Sequence, residues 1–289
     1  MSRPRVVVAG LGDSGLLTAI RLARHADVVG ISSKPGLVSG QELGSRLSRP
    51  DVWSADYRIA FDRFHRLDSF RSVHGLMIGA DLVNRTVTIQ LSDNTAAQEQ
   101  YDVLVVATGV TNGFWHPNHR ALVPAGFAFD RITDETIEWV GGQPAVTADA
   151  VLWAIGRVRP NTDWLPAELL DDDGFVRVAP DLHLPGHPRV FAIGDVAATD
   201  PLRSSARNRA DRLLAHNIRA ELAGRPLRTY RPPRRRWGSV VGTQPDGLQV
   251  FAPNGRAFRI PSWAVRSILR PLIVRRGIYL GVRKSSQAR

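Results

Sequence analysis

The chain has 289 residues, and 43% of them are hydrophobic, which is enough for one large domain or two ordinary ones with a buried core. It contains no cysteine, which excludes disulfide exchange, thiolate nucleophiles and cysteine-ligated metal centres. The eight histidines include no HExxH motif, and we expect no metal site.

Positive charge is concentrated towards the C-terminal end of the sequence. Residues 203–289 hold 20 Lys and Arg against 3 Asp and Glu, whereas residues 1–202 hold 18 against 24. A basic segment attracts phosphates, whether in nucleic acid, on a membrane surface or in a cofactor. No recognition-helix motif accompanies the charge, so nucleic acid is not an expected partner.

The first predicted elements form a strand–helix–strand unit. Residues 5–9 are a continuous apolar run that indicates a strand buried on both faces, as in a parallel sheet. A glycine-rich turn follows, then a helix to about His25, then a strand at 27–31. This order is typical of the opening of a dinucleotide-binding fold.

The remaining elements are predicted from periodicity and from glycine and proline punctuation. We predict, in chain order, loop and helix at 32–68, a hairpin or meander at 73–78 and 86–91, a buried strand at 101–107, short antiparallel strands at 121–155 ending in a buried strand, a strand at 190–193, a helix at 205–222 and a linker at 232–238.

The turn after the first strand has the sequence GLGDSG, in which Gly10, Gly12 and Gly15 form a GxGxxG motif. The first glycine permits the tight turn, the second lets the backbone approach a pyrophosphate, and the third lets helix and strand pack closely. Asp13 and Ser14 belong to the same candidate binding loop, where the helix N-terminus offers free N–H groups to phosphates. The alternative is a glycine-rich turn without a ligand.

The end of the second strand departs from the dinucleotide motif. An acidic residue is expected there to bind the ribose hydroxyls, but the sequence has Ser32, followed by Ser33 and Lys34. A serine can still hydrogen-bond a ribose hydroxyl, whereas a Ser-Ser-Lys edge would suit a phosphate. NADP at this turn is therefore the alternative to a flavin nucleotide.

A second glycine turn follows the strand in VLVVATG, residues 103–109. Its last residues, Ala107, Thr108 and Gly109, would cross close to a cofactor. An ordinary core strand that ends in a turn has the same pattern, so this segment alone decides nothing.

The segment RVFAIGDVA, residues 189–197, ends a buried strand in Gly194 and Asp195. The glycine permits close backbone approach, and the carboxylate can accept a hydrogen bond from a ribityl hydroxyl. The alternative is an Asp helix cap. The three glycine turns in this order predict bound FAD.

The sequence resembles the pyridine nucleotide-disulfide oxidoreductase superfamily, which comprises flavoproteins with two dinucleotide-binding domains. Within it, the resemblance is to type II NADH dehydrogenases and apoptosis-inducing-factor-like oxidoreductases. The resemblance rests on GLGDSG at 10–15, VLVVATG at 103–109, ADAVLWAIGRVRPNT at 148–162 and VFAIGDVA at 190–197. It implies a Rossmann-like, three-layer α/β FAD-binding domain. It also implies hydride transfer from NAD(P)H through FAD to a quinone or another electron acceptor.

The resemblance implies roles for individual residues as well. In addition to the pyrophosphate turn, it assigns Ser32 to the ribose position and the backbone of Met77 to an adenine contact. Ala107, Thr108 and Gly109 would form the turn where the chain crosses close to the cofactor, and the Gly194–Asp195 turn would contact the ribityl chain. The helix from about Ser205 would point its N-terminus at the flavin ring and stabilise the anionic reduced flavin. No side chain is assigned as a catalytic acid or base.

The second dinucleotide-binding domain is strongly shortened. Members of the superfamily carry a second GxGxxG for NAD(P)H, but residues 110–153 contain none, and a mononucleotide-binding half needs roughly 100 residues. We predict a FAD-binding domain at 1–115 and 150–230, a remnant of the NAD(P)H domain at 116–149 and a small basic C-terminal unit at 231–289. Two functions stay open: an NAD(P)H oxidoreductase, or a FAD-binding protein whose NAD(P)H activity is lost or impaired.

The C-terminal stretch at 263–284 interleaves arginines with apolar and aromatic residues and is interrupted by Pro271. It could lie on an anionic membrane surface, or it could be a packed terminal unit with a solvated basic face. No apolar run reaches spanning length and the start lacks a secretory signal, so we expect a cytoplasmic protein, with peripheral contact at the inner membrane face as the alternative. Apolar residues such as Ile137 and Trp139, if left exposed, would favour a homodimer.

Overall fold

The computed structural model describes most of the chain. The described residues are 3–38, 58–111, 159–199, 210–231, 243–252, 254 and 256–283, together with the backbone of 129–132, 136–139 and 146–147. Contacts divide the chain into two units, one formed by Met1–Gly109 and Thr162–Arg289 and the other by Val110–Asn161.

The first unit is built on a seven-stranded sheet. Its strands are β1 (Arg5–Ala9), β2 (Asp27–Ser32), β5 (Arg71–Asp81), β6 (Thr86–Leu91), β7 (Ala96–Gln100), β8 (Val103–Val106) and β14 (Val190–Ala192). The spatial order is β14-β8-β1-β2-β5-β6-β7. The first five strands in this order are parallel, and the last three form an antiparallel meander. The predicted α/β fold and the predicted meander are confirmed.

The alternation of side chains along β1 divides the core into two layers. Val6 and Val8 point into a cluster with the helices α1 (Asp13–Leu22) and α2 (Ala210–Leu222), whereas Val7 and Ala9 point into a cluster on the other face. The second cluster contains Trp164 and other residues of the segment 162–198, which includes β14. Burial on both faces explains why the run RVVVA is apolar throughout.

Other predicted elements show small differences from the structure. The region 32–68 was expected to be loop and helix, but it contains the antiparallel strands β3 (Gly36–Val38) and β4 (Arg58–Ala60) before the 3-10 turns Phe61–Arg63 and His65–Ser69. Strands of three residues are too short to show the alternation of apolar and polar residues by which strands are recognised. The first residues of the helix at 205–222, the buried strand at 150–156 and the linker at 232–238 lie outside the described residues.

The second unit consists of strands wherever it is described. These are β9 (Val110–Thr111), β10 (Phe129–Ile132), β11 (Thr136–Trp139), β12 (Val146–Thr147) and β13 (Arg159–Pro160). The middle three form an antiparallel sheet, and β9 pairs with β13. Thr111 Oγ1 donates to Asn161 Oδ1 at 2.8 Å beside that pair. The predicted short antiparallel strands are thus present, while the side chains of Ile137 and Trp139 lie outside the described residues.

The C-terminal part belongs to the first unit. It comprises the strands β15 (Thr243–Gln244), β16 (Gly247–Phe251) and β17 (Ala257–Ile260) and a helix, Ser262–Ala264, that continues as a π-helix over Val265–Ile278. Residues 279–283 then lie along the turn His65–Ser69, where His65 N donates to Gly281 O at 3.3 Å. Nowhere in the described ranges is a helix both long and apolar enough to cross a membrane.

Candidate functional site

Four parallel strands end together at one edge of the sheet. Ala9 is in register with Ile31 of β2 and with Val106 of β8, and Val106 is in register with Ala192 of β14. The turns after these strands therefore meet at the same edge. Because the chain leaves β1 towards β2 and later returns on its other side with β8, the crevice above β1 is a topological switch point, the usual ligand site of open α/β sheets.

Gly10 and Gly15 each lie so close to neighbouring backbone that only glycine fits. Gly10 has φ +103°, and a Cβ there would collide with the carbonyl of Ala107. A Cβ on Gly15 would collide with the carbonyl of Gly10, so the helix could not lie against the turn. Gly10 N donates to Ile31 O at 2.9 Å, which fixes the turn to β2. The first and third glycines of the motif hold the start of α1 against the sheet.

Gly12 differs from its two companions because a Cβ there would meet nothing within 4 Å. It is the N-cap of α1, with ordinary extended backbone angles, and no side chain caps the helix. The first N–H groups of α1 are therefore available to an anion, and the helix dipole favours one there. This open approach is what a pyrophosphate requires, so the residues present fit a dinucleotide.

The last motif lies directly beside the first one. Gly194 has φ +82°, and a Cβ on it would be 3.2 Å from Ser14 Oγ. The turn Gly194–Val196 thus packs on the first turn of α1, with Asp195 half-buried at the same edge. Gly109, with φ +68° and open space around its Cα, ends the segment after β8. The structure brings all three predicted glycine turns together.

Ser32 and Met77 lie farther along the same edge. Ser32 ends β2, and its Oγ accepts a hydrogen bond from Lys34 N at 3.2 Å, so its own hydroxyl proton is available to a ligand. Met77 is 8% exposed, with its side chain in the core beside Ile89. Because β5 pairs with β2 only as far as His74, the Met77 backbone extends beyond the end of β2. Among the described elements, no strand pairs with that side of it, which suits a backbone contact to a ligand.

One residue at this site gave no signal in the sequence. The hydroxyl of Tyr279, from the segment after the C-terminal helix, donates a hydrogen bond to Asp13 Oδ1 in the glycine-rich turn. Tyr279 is 1% exposed and packs edge-on against Phe64, with ring centroids 5.6 Å apart. The two residues are separated by most of the chain, and no local pattern links them.

The sheet order, the switch point and the uncapped helix start define a Rossmann-like α/β fold, the fold that dinucleotide-binding flavoproteins share. Residues 127–216 match the model of the family described as "Pyridine nucleotide-disulphide oxidoreductase". This match includes the VFAIGDVA segment and, together with the fold, confirms the resemblance to that superfamily.

Two curated relatives match parts of the chain. "Oxidoreductase ptaL" of Pestalotiopsis fici is 29% identical over 121 residues, which are 40% of this chain and 30% of that protein. "Type II NADH:quinone oxidoreductase Ndh" of Mycobacterium tuberculosis is 44% identical over 57 residues, 19% of this chain and 12% of that protein. The matched stretches thus cover less than a third of either relative, and both relatives are oxidoreductases by name.

Among solved structures, the sulfide:quinone oxidoreductase of Aquifex aeolicus is similar over 90% of this chain and 88% of its own, with a TM-score of 0.66 and 14% identity. At this identity the similarity shows the fold alone. The fold that the sequence predicted is therefore confirmed independently of the sequence motifs.

Proposed function

We propose that the chain binds FAD at the carboxyl edge of its sheet and serves NAD(P)H-dependent oxidoreduction. The main support is the close packing of Gly194 against Ser14, through which the turn with Asp195 lies beside the open glycine-rich turn. The family match and the two oxidoreductase relatives support this reaction class.

Each predicted site residue has a proposed part in binding. Gly10 and Gly15 hold the start of α1, and the backbone at Gly12, Asp13 and Ser14 faces the pyrophosphate. Ser32 binds a ribose hydroxyl, the Met77 backbone contacts adenine, and Asp195 binds the ribityl chain. Ala107, Thr108 and Gly109 form the turn where the chain crosses close to the cofactor. When bound, the flavin supplies two-electron redox chemistry between a nicotinamide and an acceptor, while the protein binds and orients it. We propose a quinone or another electron carrier as the acceptor.

The test is the flavin content of the purified protein. FAD absorbs at about 450 nm, so the ratio of this band to protein absorbance reports occupancy. We expect Asp195→Ala to lower occupancy, because the ribityl hydroxyls lose a charged acceptor worth about tenfold in affinity. The matched control is Asp172→Ala, which removes an exposed carboxylate elsewhere in the first unit. Equal occupancy in the two variants would refute the assignment of Asp195.

A second candidate function is FAD binding with lost or impaired NAD(P)H activity. It is favoured by the second unit, Val110–Asn161, which consists of strands wherever it is described and lacks a GxGxxG sequence. A short unit of this kind gives the nicotinamide nucleotide no phosphate-binding turn comparable to that of α1.

We further propose peripheral contact with an anionic membrane surface from the cytoplasmic side. The C-terminal helix exposes Trp263 at 62%, Leu272 at 52% and Ile273 at 50%, with Arg266 and Arg276 on the same element. Exposed apolar side chains among arginines suit the interface of an anionic bilayer. Co-sedimentation with vesicles containing phosphatidylglycerol tests this proposal. The double variant Leu272→Ser, Ile273→Ser should lose binding, whereas Val83→Ser, at an exposed site in the turn after β5, should keep it.

We also propose that the chain forms a homodimer, and sedimentation velocity of the purified chain tests this directly. A monomer at micromolar concentration would refute it.

A further inference from the structure

An open cleft on the helix side of the sheet is lined by arginines from three segments. Its volume is about 420 Å³, and it lies between the C-terminal end of α1, the turn His65–Ser69 and the middle of α2. The basic residues that line it are Arg21, Arg24, Arg66, Arg212, Arg219 and His216. The phosphate-binding turn lies at the other end of α1, a ten-residue helix about 15 Å long. The cleft is therefore separate from the proposed FAD site.

Within the described part of the chain, most of the positive charge that lines this cleft has no carboxylate partner. Arg21 forms an ion pair with the buried carboxylate of Asp211, which joins α1 to α2. For the guanidinium groups of Arg24, Arg66, Arg212 and Arg219, no carboxylate partner exists within the described part of the chain. Like charges gathered in one cleft repel each other and create a strongly positive potential.

The imidazole of His216 lies in the lining of this cleft. Its pKa lies below the ordinary value because of desolvation and because of the neighbouring charges of Arg228, Arg219 and Arg225. Arg21, Arg24, Arg66 and Arg212 face the same cleft and add positive charge. An anion bound there would relieve the repulsion and make protonation of His216 easier.

The shape and the chemistry of the cleft indicate the class of ligand. Guanidinium groups present planar pairs of N–H donors that match phosphate oxygens, and clusters of them recognise phosphates. The cleft volume falls in the usual range for small-molecule sites, roughly 300–1,000 Å³. Ile20, Ala215 and Leu280 add an apolar part to its lining. The lining thus offers several cations together with a patch for a non-polar group.

We infer that this cleft binds a phosphorylated small molecule that carries at least two phosphate groups, held by Arg24, Arg66, Arg212 and Arg219. The phosphates lie among the guanidinium groups, and the remainder of the ligand lies against Ile20 and Leu280. This site is additional to the proposed cofactor site and does not depend on it.

The experiment measures pyrophosphate binding to the full-length, FAD-saturated protein by calorimetry at about 0.15 M salt, where long-range attraction is screened. Saturation with FAD keeps the probe out of the proposed phosphate turn. We expect Arg24→Gln and Arg212→Gln each to weaken binding about tenfold, because each removes a charge-assisted hydrogen-bond partner. The matched control is Arg177→Gln, an exposed arginine next to Val176 of the opposite core layer, which should leave affinity unchanged.

The same phosphate chemistry could be offered by a lipid headgroup, so a second arm uses vesicles of phosphatidylcholine with phosphatidylglycerol. Pyrophosphate binding that depends on Arg24 and Arg212 assigns a soluble ligand. Vesicle binding that depends on these two arginines, without pyrophosphate binding, would overturn the assignment of a small molecule with two phosphates in favour of a lipid headgroup. If neither probe binds, or if the cleft variants bind as well as Arg177→Gln, the inference is wrong.

An independent readout is the titration of His216 by NMR. Saturating pyrophosphate should raise the pKa of His216 in the unmodified protein, because the bound anion offsets the surrounding arginines. An unchanged titration curve at saturation would place the bound probe elsewhere and overturn the assignment to this cleft.

Discussion

The hydroxyl of Tyr279 donates a hydrogen bond to the carboxylate of Asp13, so the C-terminal segment reaches the glycine-rich turn at the start of the chain. Asp13 opens α1, where backbone N–H groups face the proposed pyrophosphate site. A carboxylate at this position competes with a bound phosphate for those N–H groups and repels it. The hydrogen bond from Tyr279 holds one carboxylate oxygen and lowers that competition.

Tyr279→Phe should weaken FAD binding about tenfold, or about 1.4 kcal/mol, because the Asp13 carboxylate then competes more strongly with the phosphates for the N–H groups of α1. The aromatic packing against Phe64 is kept in this variant, so the fold should be retained. Flavin titration by fluorescence quenching gives the dissociation constant. Adding Asp13→Asn to Tyr279→Phe should restore most of the affinity, because the repulsive charge is then gone. A double variant as weak as the single one would contradict this explanation.

Substitution of the motif glycines should separate folding from binding. Gly15→Ala should strongly destabilise the protein, because its Cβ collides with the Gly10 carbonyl and forces α1 away from the sheet. Gly12→Ala should change the free energy of unfolding by at most about 1 kcal/mol, because its backbone angles are ordinary and its Cα faces open space. Gly12→Val should nevertheless reduce flavin occupancy, because the side chain fills the approach to α1. Urea unfolding and the flavin-to-protein ratio measure the two effects.

The second candidate function predicts that reduction of the flavin by NADH or NADPH is slow and does not saturate. Hydride transfer needs the nicotinamide about 3–3.5 Å from the flavin ring, and remote contacts to its pyrophosphate normally secure that pose. The second unit has no phosphate-binding sequence motif to supply such contacts. Anaerobic stopped-flow mixing with each nucleotide gives the rate, and dithionite reduction is the control for a competent flavin. Fast, saturable bleaching would favour the ordinary NAD(P)H oxidoreductase over the impaired one.

Tyr101→Phe should stabilise the protein. The Tyr101 hydroxyl is buried and has no hydrogen-bond partner in the described structure, and an unsatisfied buried group costs about 1–3 kcal/mol. Burial raises the pKa of Tyr101 from 10.0 to about 12. Between these values the unfolded chain loses the proton first, so stability falls as pH rises from 10 towards 12. We expect Tyr101→Phe to have a higher denaturation midpoint at pH 8 and a shallower loss of stability above pH 10; a lower midpoint at pH 8 would contradict the burial argument.

The arrangement of the candidate site could largely be predicted from the sequence, because its signals are local. A glycine with positive φ, such as Gly10 or Gly194, interrupts an apolar strand and can be recognised within ten residues. The meeting of Gly194 with Ser14 then follows from the parallel order of the sheet, since all carboxyl ends share one edge. The short strands β3 and β4 were missed because three residues do not establish a period.

Contacts between distant segments could not be predicted in the same way. Tyr279 and Asp13 belong to different periodic patterns, and either could have faced solvent. The arginine cleft is a similar case. Arg21, Arg24 and Arg66 belong to residues 1–202, whose net charge is negative, so the net charge does not reveal them. Only the packing of α1 on α2 and on the turn His65–Ser69 brings them together with Arg212 and Arg219.

The order of strands in the sheet has a consequence for how the chain folds. Strand β8 lies between β1, near the N-terminus, and β14, which begins at Val190. During synthesis, the edge of β8 that pairs with β14 therefore stays unpaired until β14 has been made, about two-thirds of the way along this sequence. Such long-range pairing is slow, so the nascent protein exposes an aggregation-prone strand edge for many seconds. Chaperone binding during translation is expected to matter more for this chain than for a helical bundle of equal length.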